Sequence, residues 1–328
     1  MLIPPHFSPL LFSSLLLLSV PALLFFFPNL IHEALPLKNH CTVLSPPSMS
    51  SPLQPKIAFL FLTNTDLSFI PLWERFFQNN TNLFNIYIHL DPSAQVEKPL
   101  TGLFANRFVP AKPTQRASAS LIAATKRLLA AALIDDSANE YFALLSQSCV
   151  PIRSFNFVYQ SLVSNPQKRS FIEILSDEPQ LRERYLARGE DVMLPEVPYD
   201  QFRVGSQFFV LSRRHAHLVV HDRRLWRKFR IPCLPTMEGF CYPEEHYFPT
   251  LLNIMDPQGC RGYTLTRVNW TDSTDGHPHT YTPAEITPQL IQELRWKESV
   301  SYLFARKFSK ECLEPLMGIA DDVIFHDK

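Results

Sequence analysis

From residue 56 onward the hydrophobic positions follow two alternating patterns. Some segments are short, continuous apolar runs, which are typical of strands buried on both faces of a sheet. Others repeat their apolar residues every three or four positions, which predicts amphipathic helices. The runs predict strands at residues 57–62, 84–90, 141–145, 171–175, 206–211 and 263–266. The helical segments are residues 70–77, 120–133 and 155–163, and a helix that follows residue 211 and continues to about residue 229.

Strands that alternate with helices indicate an α/β domain with a largely parallel central sheet. Ligands of such sheets bind beyond the carboxyl ends of the strands, so functional residues are expected just after them. Neither an internal repeat nor a linker is visible after residue 56. We therefore expect a single domain at residues 56–328.

The N-terminal segment is a separate unit. Residues 7–31 contain no charged side chain, and about 20 apolar residues are enough to cross a bilayer as a helix. A cleaved signal peptide is the alternative, although its apolar core usually spans only about 7–15 residues. We favour a retained signal anchor at residues 1–31, which would lead the rest of the chain into the secretory pathway. The proline- and serine-rich residues 32–55 cannot build a core and are predicted to form a flexible stem.

Charge and composition exclude several classes of protein. The 31 Lys and Arg residues are balanced by 31 Asp and Glu residues, which argues against a dedicated nucleic-acid-binding protein. None of the 8 glycines stands in a Gly-x-Gly arrangement, so the dinucleotide-binding fingerprint and the Walker loop are absent. The 6 cysteines form no Cys-x-x-Cys pair, which argues against a zinc ribbon or a thioredoxin-type redox motif.

The segment Cys-Tyr-Pro-Glu-Glu-His at residues 241–246 is the most informative one. Pro243 suits the first position of a helix, which would place Glu244 and Glu245 in its first turn, where the helix dipole favours carboxylates. A carboxylate that stays ionised at neutral pH can act as a general base. Ordinary helix-terminal charge is the alternative, but the dense aromatic neighbours favour a functional role.

Cations lie among apolar residues in two places. Arg306 and Lys307 stand in the segment Tyr-Leu-Phe-Ala-Arg-Lys-Phe-Ser at 302–309, and Arg261 and Arg267 flank the predicted strand at 263–266. Such side chains either extend along apolar surface to reach water or hold an anion. Taken alone, the pattern favours side chains that extend along apolar surface to reach water.

Metal binding has little support in the sequence. His217 and His221 have the i, i+4 spacing of a zinc site, but no third ligand is evident, and a basic surface helix is the better interpretation. No Asp-x-Asp triplet occurs after residue 56, so the usual carboxylate pair for a metal–diphosphate complex is missing. The diphosphate of a nucleotide-sugar would then have to be neutralised by Arg and Lys.

Four segments together resemble a known family. They are residues 144–151, 203–211, 241–246 and 303–308, in that order. The chain resembles the plant core-2/I-branching β-1,6-N-acetylglucosaminyltransferase-like proteins of glycosyltransferase family 14. The resemblance covers nearly all of residues 56–328. It implies a type II Golgi membrane protein with a GT-A-like fold, which transfers a sugar from a UDP-sugar with inversion and without a required divalent metal.

The resemblance also implies roles for particular residues. Glu245 would be the catalytic base, Lys307 beside Arg306 would bind the diphosphate together with Arg267 or Arg261, and Glu173 would bind the acceptor. Many plant relatives carry a Trp-Gly segment before the long helix, where residues 115–120 here read Gln-Arg-Ala-Ser-Ala-Ser.

The implied reaction is a single displacement. The acceptor, a glycan or glycoprotein, would lose its hydroxyl proton to Glu245 and receive N-acetylglucosamine or a related sugar, with no cofactor. A catalytically inactive Golgi protein that binds sugars or acts as a scaffold on the same fold is the alternative.

A lumenal location further predicts disulfides and N-glycans. The candidate disulfide cysteines are Cys149, Cys233, Cys241, Cys260 and Cys312, with Cys41 as a possible sixth. Asn79 and Asn269 stand in glycosylation sequons. Asn79 has the more polar surroundings and is the favoured site.

Overall fold

The computed structural model describes residues 53–271, 273 and 276–327. The predicted anchor at residues 1–31 and most of the predicted stem at 32–55 lie outside the described residues. Within the described part, no helix is both long enough and apolar enough to cross a bilayer. The boundaries of anchor, stem and catalytic domain stay predictions.

The described residues alternate between strands and helices, as the sequence predicts. The strands are β1 (Lys56–Thr63), β2 (Phe84–Leu90), β3 (Asn139–Ser146), β4 (Val150–Pro151), β5 (Ser170–Glu173), β6 (Val210–Ser212), β7 (Cys260–Gly262), β8 (Thr266–Val268), β9 (Trp296–Lys297), β10 (Val300–Ser301) and β11 (Phe304–Arg306). The α-helices are α1 (Ile70–Phe77), α2 (Ala119–Asp135), α3 (Phe155–Val163), α4 (Leu181–Leu186), α5 (Arg213–His221), α6 (Arg224–Phe229), α7 (Pro243–Met255), α8 (Pro288–Arg295) and α9 (Leu313–Gly318).

The central sheet has the strand order β2-β1-β3-β6-β5-β7. β1 pairs in parallel with both β2 and β3, and β5 pairs in parallel with β7. β6 runs antiparallel to both β3 and β5. The α/β class is therefore confirmed, with a sheet that is mixed but largely parallel. Because β5 has the same direction as β3, the carboxyl ends of both strands lie at one edge of the sheet.

The alternation of side chains along β1 divides the core in two. Ile57, Phe59 and Phe61 face the layer that contains α1, whereas Ala58 and Leu60 face the layer that contains α2. Both sets are fully buried, which explains why the strand reads as a continuous apolar run rather than an alternating one. A second sheet of order β4-β11-β8 packs against the α1 layer through Phe304.

Two predicted elements near α5 differ from the structure. The single helix that was expected to continue to about residue 229 is broken into α5 and α6 at Asp222. Its carboxylate accepts hydrogen bonds from the N–H groups of residues 224–226 at 2.9 to 3.1 Å, so a new helix begins there. The strand expected at 206–211 is regular only from Val210, because the N–H groups of Ser206 and Phe208 donate to side-chain oxygens, of Glu173 and Ser206, instead of a neighbouring strand.

The predicted strand at 263–266 is also wrong in its boundaries. β7 ends before it, at Gly262, and β8 begins only at its last residue, Thr266. Between them, the Thr264 hydroxyl donates to the carbonyl of Phe208 at 2.7 Å and accepts from the N–H of Thr266. These bonds replace strand pairing, so the chain leaves the central sheet and enters the second one.

Candidate active site

The first turn of α7 carries two adjacent carboxylates. Pro243 is the first residue of the helix, and Glu244 and Glu245 follow it in the first turn, as predicted. His246 anchors this turn, since its buried Nδ1 bonds to the carbonyl of Arg203 at 2.9 Å. Burial lowers the pKa of His246 to about 3, so the ring is neutral and Nδ1 is the donor.

Glu245 points to the open side of this turn. Its Oε2 lies 3.2 Å from Nη1 of Arg184, and about a third of its side chain (34%) is exposed. The Arg184 guanidinium lies 5.2 Å from the centre of the Tyr242 ring. Burial raises the pKa of Glu245, while the charges of Arg184, Arg116 and Arg306 oppose that rise. A carboxylate with this pKa shift and a solvent-accessible edge suits a general base.

The backbone of Glu245 is tied to Glu173. Pro249 lies within α7 and has no N–H group for the Glu245 carbonyl, which is the acceptor four residues before it. That carbonyl accepts the N–H of Gly205 at 2.9 Å instead. The next N–H, of Ser206, donates to Oε2 of Glu173 at 2.9 Å. Two consecutive backbone N–H groups therefore connect the predicted base with the predicted acceptor-binding carboxylate.

Glu173 is the last residue of β5, at the carboxyl edge of the sheet. Burial raises its pKa, and the charges of Glu178 and Glu245 raise it further. A Cβ atom at Gly205 would lie 2.0 Å from the carbonyl oxygen of Glu173. The close approach of these two segments therefore requires glycine at position 205.

Glu244 is enclosed by protein. It is 4% exposed, and its Oε1 accepts the N–H of Ala117 at 3.1 Å. Its Oε2 has no hydrogen-bond partner among the described residues. Burial and the neighbouring Glu245 raise the pKa of Glu244 to about 7. Two adjacent carboxyl groups thus differ in environment, which favours Glu245 as the ionised one.

Lys307 lies at the same edge of the sheet, where β3 ends. The N–H of the next residue, Phe308, donates to the carbonyl of Ser148 at 3.2 Å, and the Lys307 carbonyl accepts the N–H of Tyr281 at 2.8 Å. Burial lowers the pKa of Lys307, and the charges of Arg306 and Arg116 lower it further. These shifts mark a local concentration of positive charge.

Arg306 is held more tightly than Lys307. Its guanidinium lies 4.4 Å from the centre of the Phe208 ring, and its buried Nε has no hydrogen-bond partner in the described part of the chain. Burial lowers its pKa, whereas Cys149 and Glu245 act in the opposite direction. The charge of Glu245 therefore acts on a buried guanidinium that packs against the Phe208 ring.

The two candidate arginines are separated by the fold. Arg267 is on β8, which pairs with β11 so that Arg267 is opposite Ala305, and it shares Tyr281 as a neighbour with Lys307. Arg261 is an exposed residue of β7, at the end of the central sheet. The fold thus brings Arg267 into the sheet that leads to Lys307 and leaves Arg261 in the other one.

Arg116 adds a cation that the sequence did not single out. Its Nη1 lies 2.8 Å from Nε2 of His277, and its Nη2 donates to the carbonyl of Gly276 at 3.4 Å. The loop before it is fixed by the buried Asp91, which accepts the N–H of Thr114 at 2.7 Å. The differing segment at 115–120 was the signal that could have pointed to Arg116. Arg184, by contrast, had no distinguishing pattern around it.

His217 and His221 lie exposed on α5, where the Nδ1 of His221 bonds to the carbonyl of His217 at 2.9 Å. Across the described ranges, no group of three or more His, Cys, Asp or Glu side chains is arranged to hold a metal ion.

Within the described part of the chain, two of the five candidate cysteines there form a disulfide. Cys233 and Cys241 are joined, which ties the segment before α7 to its start. The other described cysteines, Cys149, Cys260 and Cys312, are free thiols, so the expectation of disulfides throughout this set is wrong for them. Cys149 and Cys312 are packed in the core, which keeps each from another cysteine. Cys41 lies outside the described residues.

The two sequons have different surroundings. Asn79 is exposed after α1. Asn269 is half-buried, and its Oδ1 accepts the N–H of Thr271 at 2.9 Å. Glycosylation at either site stays a prediction, although the exposed amide of Asn79 is the more accessible one.

Carboxylates on a helix N-terminus, facing cations at the carboxyl edge of an α/β sheet, are an arrangement suited to sugar transfer. Consistent with this arrangement, the sequence model of the "Core-2/I-Branching enzyme" family matches residues 57–295. The chain belongs to this family and is a glycosyltransferase. A relative in rice (Oryza sativa subsp. japonica), "Glycosyltransferase BC10", is 31% identical over 312 residues, which covers 79% of this chain and 76% of the relative.

Proposed function

We propose that the chain is an inverting glycosyltransferase with a GT-A-like fold, which transfers N-acetylglucosamine or a related sugar from a UDP-sugar to a glycan or glycoprotein. The observation that carries this proposal is the placement of Glu245 and Lys307 at one edge of the sheet, together with Glu173. In an inverting reaction, base and leaving-group cations act on opposite sides of the anomeric carbon.

The proposed reaction is one displacement. The acceptor hydroxyl gives its proton to Glu245 as its oxygen attacks the anomeric carbon of the donor. The bond between that carbon and the diphosphate oxygen breaks, and its electrons leave with UDP. Lys307 and Arg267 stabilise the negative charge on the departing diphosphate, without a metal ion. The positive charges of Arg184, which pairs with Glu245 at 3.2 Å, and of Arg306 favour the ionised form of its carboxylate.

A cavity of about 470 Å³ at the ends of β1 and β2 supports a place for the nucleoside. It is lined by Thr63, Leu90 and Phe108, among others. A short chain of contacts leads from it to Lys307: Asn64 bonds to Gln147 at 3.2 Å, and the residue after Gln147 accepts the N–H of Phe308. Ligands of parallel sheets bind at this edge.

We further propose a Golgi location, with residues 1–31 as a type II signal anchor and the catalytic domain in the lumen. The uncharged apolar run supports the anchor, and the Cys233–Cys241 disulfide supports an oxidising compartment. If the anchor is correct, N-terminal sequencing of the mature protein will begin before residue 31. A start near residue 35 would instead identify a cleaved signal peptide.

A screen of UDP-sugars against the full-length protein tests the proposed activity. Binding and slow hydrolysis of one UDP-sugar are expected, and Glu245→Gln should lower the rate of transfer to an acceptor by about 10²–10⁴ while UDP binding is retained. If no nucleotide-sugar binds or is hydrolysed, the chain is instead an inactive sugar-binding or scaffold protein. If EDTA abolishes binding and manganese restores it, the metal-independent mechanism is wrong.

A further inference from the structure

A strongly basic surface lies on α5 and α6, outside the residues assigned to the proposed reaction. Residues 213–230 contain seven Arg and Lys residues and one Asp, in a chain with a formal charge of zero. Basic residues are thus concentrated here and compensated by acidic residues elsewhere in the chain. Such a local concentration calls for a structural or a functional reason.

Folding accounts for some of these cations. Arg213 donates to the carbonyl of Asn139 at 2.9 Å, Arg214 pairs with Asp256 at 2.7 Å, and Lys228 pairs with Glu196 at 2.9 Å. The one acidic residue of the segment uses both carboxylate oxygens to cap α6. These contacts leave no acidic group within the segment for the other arginines.

Three of the remaining arginines form what we call the arginine stripe: Arg223, Arg227 and Arg230. All three are exposed, and none has a carboxylate within 4.0 Å in the part of the chain that the structure describes. Arg223 and Arg230 continue the helical conformation at the two ends of α6, so spacings of four and three place all three on one face. Like charges at these spacings repel one another, and Arg224 adds a fourth. The stripe therefore does not stabilise the helix.

The stripe is attached to the element that carries Arg184. The Nε atom of Arg188, just after α4, donates to the carbonyl of Ile231 at 3.1 Å. The N–H of Leu234 donates to the carbonyl of Ala187 at 2.8 Å. Since α4 also holds the ion pair between Arg184 and Glu245, the packed segments from α4 to α6 connect the stripe with the acceptor side of the candidate active site.

We propose that the arginine stripe binds an acidic glycan, a polysaccharide that carries carboxylate groups, as an extension of the acceptor-binding surface. This inference rests on the proposed function, which makes the acceptor a glycan. Guanidinium groups match carboxylates with paired hydrogen bonds. One exposed ion pair contributes little binding free energy. A row of three arginines therefore favours a ligand that carries several charges along its length. Because the formal net charge of the chain is zero, this attraction depends on the local row of arginines rather than on the charge of the whole molecule.

Binding of the full-length protein to polygalacturonate, with neutral galactan as the uncharged comparison, tests the proposal. The triple variant R223Q/R227Q/R230Q should bind polygalacturonate about ten- to a hundredfold more weakly than the wild type. The matched control R107Q/K168Q/K310Q removes three charges from exposed positions elsewhere and should change the affinity less than threefold. Added salt should weaken wild-type binding much more than binding of the stripe variant.

Three results would overturn the proposal. The first is equal binding of polygalacturonate by the wild type and the stripe variant, and the second is equal losses in the stripe and control variants. The third is stripe-dependent binding to phosphatidylserine vesicles without binding to polygalacturonate, which would identify a membrane surface as the partner. None of these measurements requires a UDP-sugar or turnover. A failure of the proposed sugar transfer is therefore distinguishable from a failure of this inference.

Discussion

The proton on Glu244 offers a quantitative test of the candidate site. Its carboxyl group is 4% exposed, and burial and Glu245 raise its pKa from 4.5 to about 7. The unfolded chain therefore loses this proton at a lower pH than the folded protein does. As the pH rises from 4.5 towards 7, the unfolded state is stabilised relative to the folded state, so the free energy of unfolding falls.

The size of this effect follows from the shift. One pKa unit corresponds to about 1.4 kcal/mol, so ionisation of Glu244 costs the folded protein roughly 3 kcal/mol. Part of this change occurs below pH 5, so the free energy of unfolding falls by roughly 2.5 kcal/mol between pH 5 and pH 8. Glu244→Gln keeps an oxygen that can accept the N–H of Ala117 but has no proton to lose. Between pH 5 and pH 8, the free energy of unfolding of this variant should therefore fall by roughly 2.5 kcal/mol less than that of the wild type.

Urea unfolding at pH 5 and pH 8 measures this difference directly. The exposed Glu183 on α4 supplies the control, since Glu183→Gln removes the same charge from a solvated position and should follow the wild type. Parallel stability curves for the wild type and Glu244→Gln would refute the reasoning, because the pKa of Glu244 would then be the same in the folded and unfolded states. We also expect Glu244→Gln to retain sugar transfer. If Glu244→Gln were inactive and Glu245→Gln active, Glu244 and not Glu245 would be the base.

Three other perturbations address the base, the diphosphate site and the link between the carboxylates. Glu245→Gln should lower the rate of transfer by about 10²–10⁴ while calorimetry finds UDP binding nearly unchanged; a lost UDP affinity would contradict the assignment. Lys307→Ala should weaken UDP binding by about ten- to a hundredfold, with or without EDTA, and an unaltered affinity would rule out its contact with the diphosphate. Gly205→Ala places a Cβ 2.0 Å from the Glu173 carbonyl oxygen and should lower stability by about 1–3 kcal/mol in thermal unfolding. The control Gly239→Ala meets nothing within 4 Å and should be far milder, so equal effects would count against the steric argument.

The strands and helices of the first half could be predicted because local pattern and burial agree there. The helix at residues 70–77 and the strand at residues 84–90 match the structure at both ends. The errors at Asp222 and Thr264 arise from side chains that replace backbone pairing, which hydrophobic periodicity does not reveal. Pro243 correctly indicated where the helix of the two glutamates begins.

The contacts of Glu244 and Glu245 could not be predicted, because their partners are far away in the sequence. Arg184 is 61 residues from Glu245 in sequence, and Ala117 is 127 residues from Glu244. Only the fold brings these pairs together, so spacing along the chain could not identify them. Arg267 and Arg261 were equally good candidates in sequence because the strand boundary between them was wrong, and the second sheet separates them.

Pro249 has a consequence for efforts to stabilise this enzyme. Replacing a proline inside a helix with alanine ordinarily strengthens the helix, because it restores a backbone hydrogen bond. Here the restored N–H group would compete with Gly205 for the carbonyl of Glu245. A helix with better internal bonding would thereby release the main chain of the predicted base from the segment that contacts Glu173. The backbone link between Glu245 and Glu173 thus depends on a proline that interrupts the hydrogen bonding of α7, and a design method that rewards regular helices would remove it.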